Sequence, residues 1–350
     1  MSLYDLLADL SVEIADYEIE LYEQETTSEF KRVTSVVRLS GSGETGTGED
    51  VTYEPEVHRA LIEDNPSLPI AGEYTHRSFS DTVTSLDLFG AADPDRADSH
   101  HYRQWAFESA ALDLGLKQAD TNLAAMLNRE YDPVRFIVST RLGEPPTLDR
   151  LFTWLDMNPE LEFKLDPTSN WTQEIVDELA ATGAVTVVDL KGKYSGTPVD
   201  QRADPDLYER VLDGFPEALI EDPELTDETR PLFDGHEHRV TWDYPITGVE
   251  CIDQLPFAPE WLNIKPSRFG TVESVLDTIE YCTENDIQMY GGGQTELSVG
   301  RKHIHAFASI FYPNSLNDIA PREFNDPIPR AGLPASPLHP RSDLDGLHWV

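Results

Sequence analysis

The sequence predicts an α/β protein, an eight-stranded parallel barrel of βα units preceded by an α+β domain. Three observations carry this. Four short apolar runs, AVTVVDL, ALIEDP, RVTWDYP and WLNIKPS, each close on one charged side chain: Asp189, Glu221, Asp243 and Lys265. The runs recur at intervals of roughly 20 to 30 residues, room for one strand, one helix and two loops. The residues before them alternate or follow helical spacing without that repeat. In a barrel of βα units the strand C-termini converge on one face, so the four charges meet there.

Length and composition agree. At 350 residues with 39% hydrophobic content, the chain can bury a barrel core and a second, smaller core. No apolar run approaches the ~20 residues of a membrane span. The acidic start MSLYDLLADLSVEIADYE is expected not to be a signal peptide. Cys251 and Cys282 are too few for a disulfide framework and are expected to be buried thiols, so a soluble cytoplasmic protein is expected. Net charge is −39 and the pI near 4.3, with acids spread along the whole chain. That distribution argues for a folded chain in a high-salt cytoplasm and against nucleic-acid or anionic-membrane partners. Of the 26 basic residues only seven are lysine. Four of these, Lys164, Lys191, Lys193 and Lys265, fall at the ends of expected barrel strands.

Residues 1–130 read as the α+β domain. ADYEIELYEQ and FKRVTSVVRLSG alternate as antiparallel strands, and GETGTGEDVTYE supplies a turn and a third. PEVHRALIED and SLDLFGAA suggest short helices, and Tyr102–Leu127 a long one, after the polar loop ADPDRADSHH. The barrel is expected over 131–324, with strands at 134–140, 161–166, 184–190, 218–223, 239–245, 261–267, 288–293 and 315–320. Helical stretches include WTQEIVDELAATG, ADPDLYERVLDGF, TVESVLDTIEYCTEN and VGRKHIHAFASIF. The Pro-rich segment 325–350, ending in DGLHWV, is expected to pack back on the first domain.

Several motifs have plain structural readings. GSGETG (41–46) matches a dinucleotide-binding GxGxxG, but no helix follows and Glu44 and Glu49 would repel a pyrophosphate; a hairpin turn is the better reading. His236 and His238 precede a strand, so they belong to the face away from the charges. His303 and His305 lie within a helix, where packing accounts for at least one. Three carboxylates on successive strands are different. Unpaired, Asp189, Glu221 and Asp243 would repel one another in a partly buried cup. A divalent cation removes that cost, and all-oxygen ligands favour Mg²⁺ over zinc.

These residues resemble the enolase superfamily, in its muconate-lactonizing and mandelate-racemase-like branch. TGTGED (45–50) is similar to the capping domain's GxGE turn and FESAALDLGLKQ (107–118) to its closing helix. EFKLD resembles the second-strand KxK with the second lysine, Lys164, retained and Glu162 in place of the first. VVDLKG, LIEDP, WDYP and LNIKPSRFG resemble strands three to six, and YGGGQTELSVGR the seventh. The resemblance implies a modified TIM (β/α)7β-type barrel with an N-terminal α+β capping domain. It also implies a homo-oligomer acting on a small carboxylate substrate. Mg²⁺ on Asp189, Glu221 and Asp243 would stabilise an enediolate formed by loss of the α-proton. Lys164 and Lys265 would be the acid/base groups, Lys191 an electrostatic assistant, and Gln294, Glu296 and Lys193 substrate-binding residues.

The outcome expected is isomerisation: racemisation, epimerisation or cycloisomerisation. Lys191 stands where the family often has asparagine, and no DxD appears near strand eight, which argues against dipeptide epimerisation. The seventh-strand region also resembles methylaspartate ammonia-lyase, so a lyase is the alternative; a catalytically silent scaffold is a third reading. Lys191 has a structural alternative as a salt-bridge partner of Glu221 or Asp222. Substrate choice is assigned to loops around 20–32 and 72–82, and the long loop after Lys191 is expected to reach over the site.

Overall fold

A computed structural model describes residues 2–26, 31–64, 67–90, 92–194, 199–341 and 344–349. Parts of the loops assigned to substrate choice and site closure, residues 27–30 and 195–198, lie outside the described residues.

The N-terminal part is built on two small sheets. β1 (Ser11–Ile14) pairs antiparallel with β5 (Gly72–Thr75), while β2 (Asp16–Glu25), β3 (Lys31–Gly41) and β4 (Glu44–Asp50) form an antiparallel meander. Ser42 and Gly43, both at positive φ, make the two-residue turn between β3 and β4, so GSGETG is the hairpin expected of it. On β4 the TGTG alternation has a steric reason. A Cβ on Gly46 or Gly48 would stand 2.2 and 1.9 Å from the carbonyl oxygens of Ala110 and Ala106. The strand therefore lies directly on the Asp98–Gln118 helix. That helix is buried at nearly every position from Tyr102 to Leu116. Ala106, Ala110 and Leu114 pack into the N-terminal core, and Trp105, Leu112 and Leu116 into the barrel core.

The barrel strands are β6 (Val138–Thr140), β7 (Phe163–Leu165), β8 (Val185–Asp189), β9 (Leu219–Glu221), β10 (Val240–Trp242), β11 (Trp261–Ile264) and β12 (Gln288–Gly291). They are parallel and neighbour one another in chain order, as short βα connections require. The expected eighth strand is reduced to two residues. Asn317 bridges to Phe136 and Asp318 to Gly292, which closes the circle. Buried Asn317 supplies what the missing ladder does not, accepting from Gly291 N at 2.7 Å and donating to the Arg135 and Tyr312 carbonyls. The helices start where side chains can cap them: Thr172, Asp204 and Thr271 each accept from a backbone N–H three residues on.

Four expectations need correction. SLDLFGAA forms no helix over 85–90, because Asp87 Oδ1 accepts from the Phe89 and Gly90 amides and turns the chain; the helix is His76–Thr84 instead. The long helix begins earlier, at Asp98, and breaks after Gln118, where Asp120 takes positive φ and Asn122 caps a separate turn. Between β9 and β10 only 3₁₀ turns form, since Pro231 and Gly235 interrupt the stretch. Cys282 is buried but Cys251 only partly. Near the C-terminus, the Gly346 and Leu347 amides donate to Thr121 O and Asp113. Among the described residues, no helix is long and apolar enough to cross a membrane.

Candidate active site

Strand alternation decides which side chains enter the barrel. Ile137, Val187, Leu219 and Tyr290 form a small apolar cluster within it. Two residues on from Val187 and Leu219, the same inward face carries Asp189 and Glu221, which sit opposite each other across the β8–β9 pair. Asp243 follows Thr241 on β10, and Lys265 follows Asn263 on β11. The four charges of the sequence reading are therefore brought to one end of the barrel, all buried.

Lys164 also points inward, but lower. It pairs with Ser139 on one side and Val187 on the other, and Leu165 pairs with Val188. Asp166 is thus the residue of that strand line level with Asp189, and Lys164 lies about 7 Å deeper along the strand. From there its ammonium bonds Glu221 Oε1 and reaches Asp189 Oδ2 at 3.1 Å and Asp318 Oδ2 at 3.3 Å.

Each carboxylate has its own cation. Asp189 Oδ2 bonds Lys191, whose Nζ is also 3.7 Å from Asp166 Oδ1. The structural alternative for Lys191, a pair with Glu221 or Asp222, is not what forms: the turn after β8 swings it back towards β7. Asp243 Oδ2 accepts from Lys265 at 2.8 Å and Tyr194 OH at 2.7 Å, with Arg268 at 3.4 Å. Glu221 Oε2 accepts from Tyr290 and from Asn263 at 3.2 Å. Burial opposes the charge on Asp189, but Lys191 and Lys164 hold it well below the usual carboxylate range; Arg268 and Lys265 do the same for Asp243. Burial raises Glu221 well above that range against the pull of Lys164. It also lifts Asp222, beside Asp243 and Asp189, to about 7. Lys164 stays protonated against burial because Glu221, Asp189 and Asp318 surround it.

Among the described residues, one carboxylate group offers oxygens within 4.8 Å of one another: Glu221, Asp222 and Asp243. This differs from the set read from the sequence, with Asp222 in place of Asp189. Asp222 is already committed, since its two oxygens accept the Asp243 and Tyr244 amides at 3.0 and 2.8 Å. It orients Asp243. Asp243 Oδ1 is buried with no hydrogen-bond partner, as is Asn263 Oδ1. A hard divalent cation fits an all-oxygen set with such an open oxygen.

A cavity of about 560 Å³ lies above these groups, lined by Lys164, Lys191, Lys265, Gln294 and Arg268. Tyr53, Arg96 and Tyr102 of the N-terminal part close it from outside. In the amide orientation that suits both neighbours, Gln294 donates to Tyr53 OH at 2.9 Å and accepts from Arg268 at 2.8 Å. Glu296 does not line the cavity; it accepts the Gln294 amide at 2.6 Å and pairs with Arg301. Lys193 does not line it either, and its ammonium sits 5.2 Å over the Trp242 ring. His305 packs on Trp349 and bonds Ile319 O, while exposed His238 and half-buried His236 lie before β10. Asp166, Tyr194, Arg268 and Asp318 were missed. Asp166 was legible from its two-residue offset to Lys164; Tyr194 reaches Asp243 only through the path of its loop.

Two family models match, the N-terminal domain of "Domain of unknown function (DUF8230)" over residues 5–126 and its C-terminal domain over 130–326. No curated protein matches the sequence. Among solved structures, muconate cycloisomerase from Pseudomonas fluorescens is similar with a TM-score of 0.67 at 18% identity, covering 97% of this chain and 96% of that one. Muconate lactonizing enzyme from Pseudomonas putida is similar at 0.65 and 18%, covering 97% of each chain. A member of the enolase superfamily from Listeria innocua is similar at 0.64 and 18%, covering 89% and 86%. The expected fold, a modified barrel with an N-terminal capping sheet, is that of the enolase superfamily.

Proposed function

For this chain, which belongs to the DUF8230 family, we propose an enzyme that removes a proton α to a carboxylate with Mg²⁺ bound, and returns it to give an isomer. One observation carries the reading. Amines enter one cavity from opposite walls of the barrel, on either side of a buried carboxylate cluster that keeps an open oxygen. β7 and β11 are the second and sixth of eight strand positions and so face each other across the barrel.

Asp189, Glu221 and Asp243 would hold Mg²⁺, with Asp222 fixing the direction of Asp243. When bound, the ion supplies positive charge against the substrate carboxylate and so lowers the cost of losing the neighbouring proton. The chain's own groups do the rest. Lys265 takes or returns the proton from the β11 wall, and the Lys164–Lys191 pair serves the other wall. An amine must be neutral to accept a proton, so the carboxylates that now hold each ammonium have to be drawn off it. That coupling suits a site where the same carboxylates bind the ion. Gln294 and Arg268 would orient the substrate, with Glu296 behind Gln294 and Lys193 outside the cavity. Tyr53 and Arg96 would shape the distal end.

Proton NMR in D₂O with Mg²⁺ and a panel of small carboxylates tests the proposal. Deuterium entering the α-position without loss of a β-substituent supports isomerisation. Loss of a β-substituent favours the lyase, for which a second amine on one wall could assist a leaving group. Failure of the protein to bind Mg²⁺ would remove the reading altogether.

A further inference from the structure

The β7 wall offers two amines, and their surroundings are unequal. Lys164 is fully enclosed, and its ammonium faces three carboxylates, those of Glu221, Asp189 and Asp318. Its hydrogen bond goes to Glu221, with Asp189 and Asp318 within ion-pair distance of the same nitrogen, so the carboxylates at the base of the cavity hold it down. Lys191 starts from the next strand, yet its amine ends above the β7 line. It touches Asp189 and stands 3.7 Å from Asp166, the residue level with Asp189. The turn that delivers it is built for this. Lys191 takes φ of 54°, and its amide bonds Asp189 Oδ1 at 3.1 Å. Gly192 lies so close to the next loop that a Cβ would meet Glu224 N at 2.2 Å. A left-handed lysine before an obligatory glycine fixes where the side chain goes. Asp166 is itself held by Arg141 Nε at 2.8 Å, and its Oδ1 has no hydrogen-bond partner of its own.

We propose that the amine facing the substrate from the β7 wall is that of Lys191, delivered from the end of β8, with Asp166 as its positioning residue and Lys164 as a buried counter-ion of the carboxylate cluster. The proposal rests on the function proposed above but can fail separately from it. The order of amine reactivity needs no metal. In the full chain treated with formaldehyde and cyanoborohydride, peptide mapping should find Lys191 methylated well before Lys164; Lys164 reacting first overturns the assignment.

The second measurement is calorimetric titration of oxalate in the presence of Mg²⁺. Lys191→Met should bind oxalate about tenfold or more weakly, the size of one lost charge-assisted hydrogen bond, with Mg²⁺ affinity nearly unchanged. Lys191→Arg should recover most of the loss. Asp166→Asn should weaken oxalate binding in the native background and do nothing further in Lys191→Met, which a merely structural aspartate would not show. A folded Lys164→Met that loses oxalate while Lys191→Met binds it as the native protein does would also overturn the proposal. If the native protein binds no Mg²⁺, the function falls, and the labelling order still decides which amine faces the cavity.

Discussion

A buried ion cluster in the N-terminal part and another in the barrel mouth differ in where their polar atoms end. In the first, Arg103 bonds Asp50 at 2.8 Å and the Leu88 carbonyl at 3.0 Å, and its guanidinium lies 3.9 Å over the Phe89 ring. Asp50 also accepts the Thr52 amide, and His58 sits between Ser35 and the Thr52 carbonyl. Against burial, Arg103 and His58 hold Asp50 down to about 2. None of these three residues leaves a buried polar atom unpaired. In the mouth, Asp243, Asn263 and Asp166 each do. Burial of charge is common to both, so burial alone does not mark a site. The open acceptors beside a cavity do.

The largest expected effect would come from breaking the closed cluster. Arg103→Met leaves Asp50 buried without its cation, and removing one member of a buried pair costs about 3–5 kcal/mol. Urea unfolding should show that loss, while Mg²⁺ affinity stays at the native level. A variant that lost metal binding without losing stability would mean that the two clusters are not independent. Next comes Glu221→Gln in the open cluster. Outer-shell partners of a metal ligand are worth about 10–100-fold in affinity, so loss of a ligand charge should reach on the order of 100-fold or more. Calorimetry reads the affinity and a thermal melt checks that the fold survives. Unchanged affinity would sink the assignment of the carboxylates to the metal.

A smaller effect separates neutral burial from paired charge. Burial lowers His76 from 6.5 to about 4, where its ring meets Tyr4 OH and the Glu108 carbonyl. The folded protein therefore holds fewer protons than the unfolded chain between these values. The stability this group contributes is present above pH 6.5 and falls as the pH drops towards 4. Between pH 6.5 and 5 the loss should be about 2 kcal/mol, and His76→Gln should flatten that part of the profile. A native profile flat across that window would show that His76 accepts a proton without cost.

How much of this was legible follows from where the physics is local. The charged strand ends were, because an apolar run of three to five residues with a polar residue at its inward end is a pattern within one segment. The depth of Lys164 was missed although the same alternation carries it: FKLD puts Lys164 and Asp166 on one face, with Asp166 the outer of the two. Asp222 was read as part of a motif and not as the group that aims Asp243, since its partners are backbone amides of the next strand. The eighth strand has no apolar ladder to recognise, and Asn317 closes the barrel by side-chain bonds instead. The Asp50–His58–Arg103 cluster joins two neighbouring elements to a helix far along the chain, and nothing at either place announces the other.

Tyr194 gives the smallest and sharpest test of the difference between the clusters. Its hydroxyl donates to Asp243 Oδ2, the oxygen that also takes Lys265 and Arg268, and so leaves Oδ1 as the open one. The ring is buried beside the Tyr244 ring and the Lys191 ammonium, so Tyr194→Phe keeps the packing and removes the bond donated to Asp243, together with the long one accepted from Arg268 at 3.4 Å. A single hydrogen bond to a charged group is worth about 1.5–3 kcal/mol, and two cations remain on the same oxygen to take up part of that. The expected result is a loss of Mg²⁺ affinity of about fivefold, near 1 kcal/mol, with the melting temperature almost unmoved. In a closed cluster the same deletion would cost stability first, because the partner left behind would have nowhere to turn. If Tyr194→Phe lowers the melting temperature and leaves Mg²⁺ affinity alone, the barrel-mouth cluster behaves like the one around Arg103, and its open oxygen is not a ligand.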